Sequence, residues 1–246
     1  MTDLREIIID LWARVDRPGM PYLAHFLIDS DYYTAPCSTK HHLAKPGGLA
    51  EHSLNVYRLL CEKVFRFGVN VPAESVIICG LGHDLCKVNF YHEGGEPCSD
   101  AQFSYLNSLW GQRGRLVEGM DEKLLEDGRF KRSIPTGNAT ILIDWLKNRP
   151  QDPVPVLPIA YSVEDKLPLG HGEKSLSILQ DFIKLTDHEK LAIRWHMGAW
   201  DFSDYSGRWA FNNACKMTPL VTLLSTADFE AGNILESEVS EIDAGN

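Results

Sequence analysis

The run Gly80-Leu81-Gly82-His83-Asp84-Leu85-Cys86-Lys87 sets an imidazole and a carboxylate on adjacent positions. A nitrogen donor beside an anionic oxygen donor is the start of a metal site for a borderline divalent ion. Lys87, four residues after His83, adds a positive charge able to neutralise phosphoryl oxygens. The two glycines ahead of the pair let another backbone come close. The chemistry this predicts is metal-assisted hydrolysis of a phosphate ester, if other residues of the chain converge on the pair.

Two such residues stand out on their own elements. Helical spacing predicts a helix over about Leu49–Phe65, with Leu49, Val56, Leu60 and Val64 on its apolar side and His52 beside that stripe. A lone histidine there is more often a satisfied core residue than a ligand. Thr218-Pro219 opens the last strong helix, where Asp228 follows Leu224 and Val221 on the apolar side. A carboxylate goes inside only when it is paired or bound to a cation, so Asp228 needs a partner. His171 follows Gly170 and precedes a further helix carrying Leu176, Leu179, Phe182 and Ile183. Thr186-Asp187-His188-Glu189 has the form of a capping box for a helix carrying Leu191, Ala192, Trp195 and His196.

The His83-Asp84 pair itself is expected late in a helix begun by Asn70 and Pro72. Its apolar side is Ile77, Ile78, Leu81, Leu85 and Val88, with His83 and Lys87 turned away and Asp84 at the edge. An amphipathic helix is predicted over residues 2 to 15 and a short one over Tyr22–Ile28. Asp31 to Pro46, with Lys40, His41, His42 and Lys45, reads as loop, and Gly68 closes the Leu49 helix. Residues 91 to 164 read as an insertion. Asp100 to Trp110 suits a short helix, Thr140 to Leu146 a helix or strand, and the proline-rich stretch to Val163 a short hairpin strand. Tyr205 to Asn213 reads as loop or short helix, and Glu236 to Asn246 as a frayed acidic end.

The chain has 246 residues and a net charge of −10, which disfavours broad nucleic-acid binding through phosphate neutralisation. A small anionic substrate stays open, because a divalent ion reverses the local sign of charge. Six cysteines with no C-x-x-C pair give no zinc-finger or thioredoxin signal, and free thiols suit a cytoplasmic protein. Neither a signal sequence nor a membrane-spanning apolar run is evident. Nucleotide-binding P-loops and serine-hydrolase elbows are absent too.

His52, then His83-Asp84, then Asp228, each on its own predicted helix, resembles the signature of the HD-domain metal-dependent phosphohydrolases. Gly47-Gly48-Leu49-Ala50-Glu51-His52-Ser53 and the H-D-x-x-K form of His83–Lys87 add to the likeness. It is strongest toward the HD domain of the YhaM-type 3'-5' exoribonucleases, whose OB-type nucleic-acid module this chain lacks. The resemblance covers roughly residues 37 to 90 and 165 to 232. It implies an all-α, HD-domain/PDEase-like helical bundle with a small irregular or β-hairpin insertion. The whole of 1–246 would form one hydrolase domain, with N-terminal helices over 1–36, metal-site helices over 37–90 and 165–232, and the insertion over 91–164.

The resemblance further implies that His52, His83, Asp84 and Asp228 bind a first divalent transition metal (Mn, Fe, Co, Ni or Zn). His171 and His196 would hold a second, bridged by Asp84, or contact the substrate. Met197 stands where many two-metal members carry another histidine, so one ion or two are both open. Lys87 would neutralise the phosphoryl group, His42 or His171 would protonate the leaving group, and Trp195 with Trp200, Tyr205 and Trp209 could stack a base. The implied activity is hydrolysis of a nucleotide or short oligonucleotide phosphate ester by metal-activated water. No stable nucleic-acid complex and no membrane partner are expected. The alternatives are a YhaM-like exoribonuclease and a non-catalytic module that senses a nucleotide or metal.

Overall fold

The structure is a computed structural model and describes residues 3–201 and 205–237. It is mostly helical, with two small two-stranded sheets. The chain folds into two compact units: Met1–Phe90 with Asp165–Asn246, and Tyr91–Glu164. Each unit has its own hydrophobic core. No helix among the described residues is long and apolar enough to cross a membrane.

In the first unit, α1 (Leu4–Trp12) is capped by the Asp3 carboxylate and buries Ile8, Leu11 and Trp12. Helix α2 (Met20–Asp29) and the predicted loop follow, and α3 (Gly48–Arg66) is one residue longer at each end than its apolar period predicts. Gly68 leaves that helix with a φ of 61°. Helix α4 (Ala73–Gly82) starts with Pro72 at its N-cap and crosses α3 at close range. A Cβ on Gly80 would lie 2.6 Å from the Tyr57 Cα, so this approach of two backbones needs glycine.

The second unit takes the chain from Tyr91 to Glu164. Strand β1 (Tyr91–Glu93) is followed by α5 (Asp100–Arg113), opened by a Ser99–Gln102 capping box, then by the two-residue strands β2 (Leu125–Glu126) and β3 (Arg129–Phe130). Helix α6 (Thr136–Asn148) resolves the helix-or-strand ambiguity around Thr140 in favour of helix. Strand β4 (Tyr161–Val163) pairs antiparallel with β1, its partner from the start of the segment and not from a local hairpin. Leu106, Phe130, Leu142, Trp145 and Leu146 centre the core of this unit.

The chain returns through α7 (His171–Gln180) and α8 (Asp187–Arg194), and α8 begins with the predicted box: Thr186 Oγ1 accepts from Glu189 N–H and Glu189 accepts from Thr186 N–H. Glu189 does more than cap. Its buried carboxylate takes both terminal nitrogens of the Arg17 guanidinium, at 2.6 and 2.7 Å, and the Ser75 hydroxyl at 2.6 Å. This ties the turn before α2 and the first turn of α4 to α8. Tyr205 to Met217 is one continuous helix, α9, longer than its weak periodicity suggests. Helix α10 (Pro219–Glu230) is capped by Thr218, as its sequence predicts, and passes into a π-helical turn over Ala231–Leu235.

Candidate metal centre

The His83-Asp84 pair does not lie within a helix. Helix α4 ends at Gly82, His83 is its C-cap, and Leu85–Lys87 form a separate 3-10 turn. The apolar period of the sequence runs on to Val88, but side chains claim the last carbonyls of α4 instead. His83 Nδ1–H donates to Gly80 O at 2.9 Å, and Tyr32 Oη–H donates to Leu81 O at 3.0 Å. Helix-terminal carbonyls need such partners. The expected polar face is absent as well: Leu81 to Val88 are all buried, and Lys87 is only 8% exposed. A solvated His/Lys surface is therefore excluded.

His196 repeats the device at the end of α8. Its Nδ1–H donates to Ile193 O, three residues back, at 2.8 Å. His52, buried in α3, has its Nδ1–H directed to the Glu236 carboxylate at 2.9 Å, and Asn55 Nδ2 donates to the same carboxylate at 3.0 Å. All three Nδ1 atoms are thus committed, and each Nε2 is the ring atom left to face the centre, as N–H toward a carboxylate or as a lone pair toward a metal ion.

The three Nε2 atoms converge on carboxylates. His52 Nε2 is 3.1 Å from Asp228 Oδ1, 3.6 Å from Asp84 Oδ2 and 3.3 Å from His83 Nε2. His83 Nε2 is 3.7 Å from Asp84 Oδ2 and 3.9 Å from Asp228 Oδ1. His196 Nε2 faces the other oxygen, Asp84 Oδ1, at 3.4 Å, and is buried with no hydrogen-bond partner. Such contacts are held together by positive charge on the line between nitrogen and oxygen, supplied by a proton on Nε2 or by a metal ion that replaces it. Donors held at ~2.1 Å from one metal stand ~3.0 to ~3.5 Å apart, close to the spacings found here. Two imidazoles and two carboxylates, each imidazole oriented from behind by a carboxylate or carbonyl, fit a borderline divalent ion.

Charge points the same way. Asp84, Asp228 and Glu236 are three carboxylates set against one ammonium, Lys87, whose Nζ lies 2.6 Å from Asp84 Oδ2. With neutral imidazoles the group carries a formal −2, which one divalent ion cancels. Burial works against charging His52, yet Cys37, Asp228 and Glu236 together raise its pKa well above the ordinary value. His196 is likewise raised in spite of burial, by its contact with Asp84. Burial prevails at His83, which falls to about 4. At Asp84 burial is outweighed by Lys87, His83 and His196, so its pKa lies well below the usual carboxylate range.

Of the remaining sequence candidates, His42 brings its ring centroid to 5.2 Å from that of His52, and burial lowers its pKa. A neutral His42 is better placed to accept than to deliver a proton. His171 is the first residue of α7 and feels the charges of Asp84, Lys87, His196 and Asp201, but it is not within ion-pairing distance of Asp84 or Asp228. Trp195 is buried at the end of α8 with the Arg194 guanidinium 4.1 Å over its ring and Phe211 at 5.9 Å, which removes it as a base-stacking surface. Trp200, Tyr205 and Trp209 are exposed.

Sequence reasoning missed two groups. Glu236, assigned to a frayed end, is a buried partner of His52; residues 238 to 246 of that expected tail lie outside the described residues. Cys37, fully buried, receives Lys87 Nζ at 3.3 Å. Comparison with protein-family models, with curated proteins and with solved structures finds no match to this chain.

Proposed function

We propose that the chain is an HD-type phosphohydrolase that holds a divalent transition metal between His52, His83, Asp84 and Asp228 and hydrolyses a phosphate ester of a nucleotide or short oligonucleotide. The observation that carries this reading is the convergence of three buried Nε2 atoms on Asp84 and Asp228 with every Nδ1 committed elsewhere. When bound, such an ion supplies Lewis acidity toward a phosphoryl oxygen and acidifies water. The remaining work belongs to the chain's own residues. Asp84 offers Oδ2 to the His52–His83 side and Oδ1 to His196, so it can align groups on both sides of itself. Lys87 holds a positive charge at Asp84, where negative charge on a transferring phosphoryl group needs neutralising. His196 Nε2 is aimed at the same place, and the burial of His52, His83, Asp84, Lys87 and His196 limits competing water, while the partly exposed Asp228 marks the side open to solvent.

The charge balance supports one ion in place of two, with His171 and His196 left for the substrate. The resemblance of the H…HD…D order to the HD phosphohydrolases supports phosphate over other esters, and the net charge of −10 supports a small substrate over a long nucleic acid. The test is a panel of phosphate monoesters, diesters and nucleotides assayed with manganese, iron, cobalt, nickel or zinc. Turnover by the wild type and none by His83→Ala/Asp84→Ala is expected. Equal turnover by both proteins would refute the site, and tight nucleotide binding without turnover would turn the reading to a sensing module.

A further inference from the structure

Beside the carboxylate site lies a second set of donors with different chemistry. Cys37 Sγ, one ring nitrogen of His42 and one of His52 lie within 4.8 Å of one another. The loop between Cys37 and His42 is drawn tight. Cys37 N–H donates to Leu43 O at 3.1 Å, His41 N–H donates to Ser38 Oγ at 2.8 Å, and Ser38 Oγ–H donates to His42 O at 3.0 Å. Leu43 turns the chain with a φ of 48°. The result is a Cys-x4-His hook that delivers a fully buried sulfur and a buried His42 Nε2 that has no hydrogen-bond partner. A buried polar nitrogen left unpaired is costly and asks for a ligand. The Lys87 ammonium, 3.3 Å from Sγ, shows that the sulfur already faces positive charge.

We propose that Cys37, His42 and His52 form an alternative seat for a soft, thiophilic divalent cation of the cadmium type. Sulfur and imidazole select soft and borderline ions, whereas Asp84 and Asp228 favour harder ones. Binding forms the sulfur–metal bond, breaks the Cys37 S–H bond and releases that proton to solvent. The two seats compete, because both His52 nitrogens are in use: Nδ1 by Glu236 and Nε2 toward Asp228. Filling the hook draws His52 from the carboxylate seat. A thiophilic ion is therefore an inhibitor of the hydrolase; this inhibition rests on the function proposed above, and the binding does not.

The full chain is titrated with cadmium while the ultraviolet sulfur-to-cadmium charge-transfer band is followed, with circular dichroism confirming the fold of each variant. A saturable band is expected in the wild type, lost in Cys37→Ser and shifted to higher cadmium concentration in His42→Ala. It is retained when the two partly exposed cysteines are replaced together, as Cys61→Ser/Cys215→Ser. A band that survives in Cys37→Ser, an unchanged titration in His42→Ala, or no band in the wild type would overturn the seat. A band in a wild type that hydrolyses no phosphate ester would uphold the seat and refute the hydrolase.

Discussion

Glu236 Oε2 lies 2.9 Å from His52 Nδ1, so the residue just past the π-helical turn after α10 fixes the tautomer of a histidine on α3. A carboxylate behind a ligating histidine orients the ring and raises its basicity. Glu236→Ala is expected to weaken metal binding by ~10- to ~100-fold, with Glu236→Gln, which keeps an acceptor oxygen, restoring most of it. Isothermal titration with manganese reads the affinity, and the 15N shifts of His52 in metal-free protein read the tautomer. Equal affinity in all three proteins would reduce Glu236 to a surface tether.

Lys87 separates binding from turnover. Lys87→Met removes the one ammonium from a group of three carboxylates. Metal affinity should hold or rise, while kcat falls by ~100-fold through loss of charge stabilisation at the phosphoryl group. Parallel metal titrations and steady-state kinetics check the opposite signs. A fall in both would make Lys87 a structural partner of Asp84.

Gly80 sets the distance between α3 and α4. Alanine there would press its Cβ to 2.6 Å from the Tyr57 Cα and 2.8 Å from the Tyr57 Cβ. Gly80→Ala should cost about 3 kcal/mol as overpacking and lower the Tm by roughly 6 °C or more. Thermal denaturation followed by circular dichroism measures it.

Glu189 gives the fold a pH dependence away from the metal centre. Burial pushes its carboxyl up, but hydrogen bonds from Arg17, Ser75 and Thr186 outweigh this and leave its pKa below the ordinary glutamate value. The folded pKa is depressed, so the stabilisation is fully present above the unfolded pKa of ~4.3 and is lost as pH falls through the folded value. Glu189→Gln should flatten that part of the stability–pH curve. Glu189→Ala, which leaves the largely buried Arg17 without its main partner, should cost about 3 kcal/mol at neutral pH. Urea denaturation from pH 7 down to pH 3 checks both.

The residues that were readable in the sequence are those whose type conflicts with their surroundings or follows a local rule. Asp228 on an apolar stripe, the adjacent His83 and Asp84, and the Thr186–Glu189 box belong to this group, and the structure brings the first three together. What stayed hidden depends on contacts distant in the chain. Nothing in the period of Ile77, Ile78, Leu81 and Leu85 signals that Tyr32 takes the Leu81 carbonyl and that α4 stops at Gly82. Glu236 follows a π-helical turn, which breaks the 3.6-residue period and hides the direction of its side chain. Gly111 to Arg132 mixes charges of both signs without a firm period because much of that stretch is 3-10 turns and two-residue strands.

The central claim is that His52, His83, Asp84 and Asp228 hold one divalent ion. Elemental analysis of the chain after loading with manganese, iron, cobalt, nickel or zinc and gel filtration tests it most directly. The wild type should retain about one ion per chain, the charge that balances three carboxylates against one ammonium, and His83→Ala/Asp84→Ala should retain none at the carboxylate seat when cysteine-blind manganese is used. A wild type that retains no ion from any of the five metals, or a double variant that keeps manganese at the wild-type level, would contradict the account.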